Sequence, residues 1–163
     1  MNSGERIPVQ FNERLVRIGN RAEEWKSVVT LAGDLLVGAG CAREGYQQRL
    51  IAVIERFGPY MVIAPNLALV HAQPGPDVVK NGLSAITLPE GVNFGHPHFD
   101  PVGLVIGLTS TNPAQHLEVI AGVATSLEND PALVRTAVLL KQPAQLVALL
   151  RDELPMLDFG AAN

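Results

Sequence analysis

Four histidines and a single cysteine are the chain's most reactive side chains, and they are unevenly placed. His71 closes the apolar run Leu67 to Val70 and precedes a stretch thick with proline and glycine, Ala72 to Asp77. If the run is a buried strand, the imidazole leaves the sheet at a carboxyl end, where open sheets place their ligands. Pro74 and Pro76 cannot donate to a strand ladder, so the segment beyond is not a central strand. A neutral imidazole there can act as a nucleophile that carries a phosphoryl group; the plainer alternative is a strand-end histidine bonded to a backbone carbonyl.

His116 occupies a second corner. In the segment Thr109 to Gly122, Asn112 is suited to cap a helix, Pro113 to its first turn, and Gln115 to bond back to the cap. This places His116 in or just after the first turn. There the unpaired N–H groups and the helix dipole attract an anion and disfavour an imidazolium by up to about 1 kcal/mol. A neutral imidazole in that position can still donate to phosphate oxygens. The alternative is a histidine packed beneath Leu117 and Ile120. A third grouping, His96, His98 and Asp100, has the alternating spacing that can aim two imidazoles at one metal ion, but a third ligand is not in view, and loop histidines are the competing reading. Cys41 follows a glycine-rich helix end with no histidine beside it, which suits a buried structural thiol. No segment matches a dinucleotide fingerprint or a Walker motif, so no nucleotide cofactor is expected.

These residues need a scaffold to position them. Residues 1–12 read as a loosely ordered arm, and Arg14 to Ile18 as a short first strand. Trp25, Val28, Val29, Ala32, Leu35 and Leu36 recur at helical spacing from Ala22, with Asn20 and Glu23 as the capping pair and Gly38 and Gly40 at the end. A second helix runs from about Arg43, with Tyr46, Leu50, Val53, Ile54 and Phe57 on one face, to Gly58 and Pro59. Short branched segments around Met61–Pro65, Leu67–Val70, Leu83–Thr87 and Pro101–Thr109 then read as strands. Three helices follow, each with a proline suited to its first position: Pro113, Pro131 and Pro143. The order predicts an α+β, three-layer α/β/α fold, with a mixed sheet of four to five strands flanked by helices on both faces, in one domain over 13–163.

Composition narrows the function. Apolar residues make up 47% of the 163 residues and charged ones 17%, which predicts a well-buried body. A net charge of -4, with the twelve basic residues in no run, gives no footprint for nucleic acid. One cysteine cannot form an internal disulfide. The polar start shows no signal-peptide core, and no apolar run approaches the roughly 18 to 20 residues that span a bilayer. A cytoplasmic protein without membrane insertion is expected.

The run from Phe57 to Gly75, FGPYMVIAPNLALVHAQPG, resembles the active-site segment of enzyme IIA components of the bacterial sugar phosphotransferase system. Within the mannitol and fructose superfamily it is most similar to the ascorbate-type branch, whose members read roughly GPYIVIAPGIALPHARP. The likeness extends to Phe94, Gly95, Asp100, Pro101 and Val102, to His116–Glu118, and covers about residues 14 to 151. It implies that His71 accepts the phosphoryl group, that His116 shares its pocket, and that the fold has three layers with a mixed sheet. Val70 and Gln73 depart from the pattern, replacing proline and often arginine; the first loosens the backbone before the nucleophile and the second removes a cation.

The expected function is therefore a phosphoryl carrier. Its donor would be the histidine-containing phosphocarrier protein and its acceptor a IIB protein or domain with a receiving cysteine, in uptake of ascorbate or a related sugar. Neither metal nor nucleotide takes part. Met61, Leu69 and Pro74 are candidates for an exposed apolar rim that docks these proteins. A homodimer is left open. Two other readings stand beside this one: a regulatory binding module of the same fold phosphorylated at His71, and a metal-dependent hydrolase using His96, His98 and Asp100.

Overall fold

The computed structural model describes residues 6–160. Strand β1 (Ile7–Pro8) leads into a single 3₁₀ turn at Glu13–Leu15 and then β2 (Val16–Arg17). Two helices follow, α1 (Trp25–Gly38) and α2 (Tyr46–Phe57), and then strands β3 (Val62–Ala64), β4 (Leu67–His71), β5 (Gly82–Val92) and β6 (Val102–Thr109). Helices α3 (Pro113–Glu128), α4 (Leu133–Ala137) and α5 (Pro143–Glu153) precede a last short strand, β7 (Leu157–Asp158).

Five strands form one mixed sheet in the order β2-β5-β6-β4-β3. The central pair, β4 and β6, is parallel, with His71 opposite Leu108; β5 runs antiparallel to β6, and β3 antiparallel to β4. Every residue of β6 and the first seven of β5 are buried. Successive side chains of a strand point to opposite faces, so an unbroken buried run means that both faces of the central sheet are covered. That is why these strands read in sequence as continuous apolar runs instead of alternating ones. Helix α1 lies close enough that a Cβ on Gly107 would sit 2.5 Å from Ser84 Oγ and 3.2 Å from Ala32 Cβ, so β6 admits only glycine there. The Ser84 hydroxyl donates to the Ala32 carbonyl at 3.0 Å, which satisfies a polar group at the sheet–helix interface.

The mixed sheet and its flanking helices match the expected fold, with some local revisions. The described part of the supposed loose arm is pinned: Ile7–Pro8 pairs in parallel with Leu157–Asp158, Val9 and Phe11 are buried, and the Phe11 ring lies 5.3 Å from that of Phe159. Apolar burial outweighs the polar composition that suggested looseness. Residues 1–5 of that arm lie outside the described residues. The first strand is shorter than expected because Glu13–Leu15 winds into a turn capped by Asn12. Helix α1 starts at Trp25, with Glu24 at the cap position and no side-chain cap bond; Asn20 lies four residues too early to cap it, its backbone N–H donating to the Thr87 carbonyl at 2.9 Å and extending the β2–β5 contact. Helix α4 begins at Leu133, two residues after Pro131, with the Asp130 carboxylate accepting from the Ala132 N–H.

Candidate functional site

Two adjacent parallel strands must end on the same side of a sheet, and this brings the two corners together. Strand β4 ends at His71. Strand β6 exits through Ser110 and Thr111 to Asn112, whose side chain accepts from the Ala114 N–H at 2.8 Å and the Gln115 N–H at 3.1 Å. Pro113 opens α3, and His116 makes its first full-turn hydrogen bond, N–H to the Asn112 carbonyl, at 2.9 Å. The reciprocal Gln115 bond anticipated for this cap is replaced by a second donation to Asn112. The His71 and His116 rings lie 5.7 Å apart between centroids, with their planes at 54°.

The environment sets the state of each ring. His71 Nδ1 is 3.0 Å from the Leu69 carbonyl oxygen, which can only accept, so Nδ1 carries the proton and the Nε2 lone pair is free. Burial pushes the His71 pKa down from its ordinary value; the Leu69 carbonyl pulls it up, and the neighbouring His116 adds to the depression. Burial lowers the His116 pKa as well. His116 is 2% exposed, and its Nδ1 is buried without a hydrogen-bond partner. A buried, unsatisfied nitrogen costs of the order of 1–3 kcal/mol. Two neutral imidazoles, one with a bare nucleophilic nitrogen and one with an unused polar atom, suit the capture and transfer of an anionic group.

The third grouping is built for a different purpose. Both carboxylate oxygens of Asp100 are occupied: Oδ1 accepts from Phe94 N–H at 3.0 Å, and Oδ2 from Gly95 and His96 N–H at 2.7 and 3.0 Å. His96 Nδ1 accepts from the N–H groups of His98 and Phe99, both at 3.1 Å, and its ring stacks on Phe99 at 4.5 Å. These three residues hold one another's loop in shape. Among the described residues no cluster of three histidine, cysteine or acidic side chains is placed to hold a metal. Cys41 is fully buried, with burial pushing its thiol pKa up, as a structural cysteine should be.

Comparisons with known proteins identify the family. The family model described as phosphoenolpyruvate-dependent sugar phosphotransferase system, EIIA 2, matches residues 10–152. The chain belongs to this EIIA family. It is 38% identical over 104 residues to the ascorbate-specific PTS system EIIA component of Escherichia coli K12, covering 64% of this chain and 68% of that relative. Its fold superposes on the mannitol-specific cryptic enzyme IIA CmtB of Escherichia coli with a TM-score of 0.73, at 25% identity over 88% of this chain and 95% of that one. It also superposes on the complex of enzyme IIAMTL with phosphorylated enzyme IIBMTL from Escherichia coli, with a TM-score of 0.74 at 23% identity, over 88% and 99% of the two chains. The protein is thus a phosphoryl-transfer component of a sugar phosphotransferase system, related to ascorbate-specific EIIA. Among its described residues no helix is long and apolar enough to cross a membrane.

Two parts of this EIIA site were not legible beforehand. Of the anticipated apolar rim, Pro74 is half-exposed, but Met61 and Leu69 are 1% and 0% exposed: the Leu69 N–H donates to the Met61 carbonyl and seats both residues in the β3–β4 ladder. Exposed large apolar groups among the described residues include Phe57 and Tyr60, whose rings meet edge to face at 6.3 Å, and Leu117, next to His116 in sequence. Tyr60 adjoins Met61 at the end of β3 that runs toward the His71 end of β4. Phe57 was expected on the buried face of α2; it is the last residue of the helix and is exposed. The second omission is Tyr46. Fully buried, it donates its hydroxyl to the Leu108 carbonyl at 2.7 Å and accepts from the Ala72 N–H at 3.3 Å, tying the residue after His71 to the strand beside it. Burial raises its pKa to about 12. The available signal was a tyrosine on an apolar helix face, whose hydroxyl must find a partner.

Proposed function

We propose that His71 Nε2 is the phosphoryl acceptor of this EIIA, taking the group from a phosphohistidine of the histidine-containing phosphocarrier protein and passing it to a cysteine of a IIB protein or domain. The sugar is ascorbate or a related one, following the similarity to the ascorbate-specific component. The observation that carries this reading is the His71–His116 pair: a ring locked with its proton on Nδ1 toward Leu69, its Nε2 bare, and a second neutral imidazole 5.7 Å away.

The transfer needs little covalent chemistry from the protein. As His71 Nε2 bonds to phosphorus, the donor's nitrogen–phosphorus bond breaks, and the proton stays on His71 Nδ1, donated to the Leu69 carbonyl. In the second step a thiolate bonds to phosphorus, the His71 bond breaks, and the neutral imidazole returns. Both displacements pass through a loose transition state whose equatorial oxygens need positioned donors. The His116 imidazole supplies one of them, the N–H groups of the first turn being already bonded to Asn112. Phe57, Tyr60 and Leu117 form the apolar surface on which both partner proteins dock in turn. The superposition on a IIA bound to phosphorylated IIB supports the acceptor half of this scheme.

The test is incubation with phosphorylated carrier protein, followed by mapping of acid-labile phosphate. Label is expected on His71 and absent from His71→Ala; unlabelled wild-type protein, or undiminished label in the variant, overturns the proposal.

A further inference from the structure

The segment that follows His71 contains two prolines and joins no sheet, so the direction in which the nucleophile's backbone leaves the strand must be fixed from outside. Helix α2 does this. The Arg49 guanidinium grips Asp77 with two bonds, Nε to Oδ2 and Nη2 to Oδ1, both 2.8 Å, and Nη2 also donates to the Gln73 carbonyl at 2.6 Å. The ion pair is partly shielded, with side-chain exposures of 33% and 23%. The guanidinium carbon lies 5.4 Å from the centre of the Tyr46 ring, and Tyr46 in turn holds the Ala72 N–H. Gly75 allows this approach: a Cβ there would stand 3.3 Å from both Arg49 Nη2 and Asp77 Oδ1. Arg43 fixes the far end, its N–H donating to the Asp77 carbonyl at 2.7 Å.

Gln73 stands where the resemblance often has arginine, so the loop has lost a cation of its own. Here a guanidinium reaches the same backbone position from α2. Its charge is matched by Asp77 and spent on loop groups, not offered to a ligand. A planar fork with two acceptors fixed at once restrains orientation far better than a point charge would. We propose that Arg49 is a positioning residue for phosphoryl transfer: through Gln73, Asp77 and Tyr46 it holds the exit of β4, and so keeps the His71 ring on the Leu69 carbonyl with Nε2 left bare. The inference rests on the phosphoryl-carrier reading of His71 and adds to it a residue that touches neither the reacting atoms nor a partner.

The test has two readouts on the full chain. Two-bond ¹H–¹⁵N spectra of the histidine rings report the His71 tautomer without any transfer reaction. Wild-type protein should show a single Nδ1–H form, Arg49→Ala a mixture of tautomers, and Arg49→Lys an intermediate state, because an ammonium can hold one acceptor well but not the fork. In parallel, transfer from His71 to IIB should fall roughly ten- to a hundredfold in kcat for Arg49→Ala with KM little changed, the size of effect that misplacing a reacting group by about 1 Å produces. A single Nδ1–H tautomer and wild-type kcat in folded Arg49→Ala overturn the proposal. Should that variant not fold, Asp77→Asn cuts the ion pair while sparing the bond to Gln73, and the same two outcomes decide. If wild-type protein takes no phosphoryl group at all, the carrier reading falls, while the tautomer comparison still rules on Arg49.

Discussion

The molecule carries two pairs of histidines, and they differ in what their ring nitrogens are doing. In the loop after β5, His96 spends Nδ1 on two backbone N–H groups and stacks its ring on Phe99, while Asp100 spends both oxygens on three more. At the ends of β4 and β6, His71 uses one nitrogen to fix its tautomer, leaving the other bare, and His116 has a buried nitrogen with no partner. The first pair is closer in sequence and better matched to a metal motif; the second is 45 residues apart and better matched to chemistry. Satisfied polar atoms build a loop, and unsatisfied ones wait for a ligand.

Mutation should separate the pairs. The largest contrast is between His71→Ala, expected to abolish phosphoryl acceptance, and His96→Ala, expected to leave acceptance intact; loss of label in both, measured with phosphorylated carrier protein, would erase the distinction. Next comes His116→Ala, in which His71 should still be labelled while transfer onward slows by about a hundredfold, the effect of removing one transition-state donor; wild-type transfer kinetics would end its role. On the other side, Asp100→Asn should lower stability by about 1–3 kcal/mol in denaturant unfolding, because it weakens charge-assisted bonds to three N–H groups, with no change in labelling. Tyr46→Phe should cost a similar or smaller amount, about 1–2 kcal/mol, since it strips a partner from the Leu108 carbonyl and the Ala72 N–H.

The smallest effect is one of pH. Both site histidines have folded pKa values below the ordinary 6.5. The unfolded chain therefore binds more protons than the folded one as pH falls through 6.5, and stability must fall with it. The His71→Ala, His116→Ala double variant should show a flatter stability profile between pH 7 and 5 than wild type; identical slopes would mean that neither ring is depressed. Acceptance by His71 should likewise persist to a pH below the usual imidazole range before protonation silences Nε2.

Much of this was readable from the chain because local rules and tertiary structure agree at the decisive points. Asn112 and Pro113 start α3 as their capping chemistry dictates, and Gly58 ends α2 at φ +86°. Continuous apolar runs announced buried strands, and proline after His71 announced where β4 stops. What escaped notice depends on distant partners. Nothing near Arg49 in sequence shows that Asp77, 28 residues on, completes its fork. The pairing of β3 with β4 hides Met61 and Leu69, and the end of α2 leaves Phe57 60% exposed although its spacing fits the buried face. Residues 6–12 look polar and loose until their apolar minority is set against Phe159 and Leu157.

The bond from His71 to its own strand, two residues back, bears on how generous a carrier this protein is. A phosphoryl group on Nε2 draws electrons from the ring and makes it more cationic, and the Leu69 carbonyl eases that charge while the surrounding burial resists it. The two influences pull in opposite directions on the same imidazole. An intermediary between two proteins must part with its cargo about as readily as it receives it, and under the proposed transfer a single carbonyl oxygen bears on that balance.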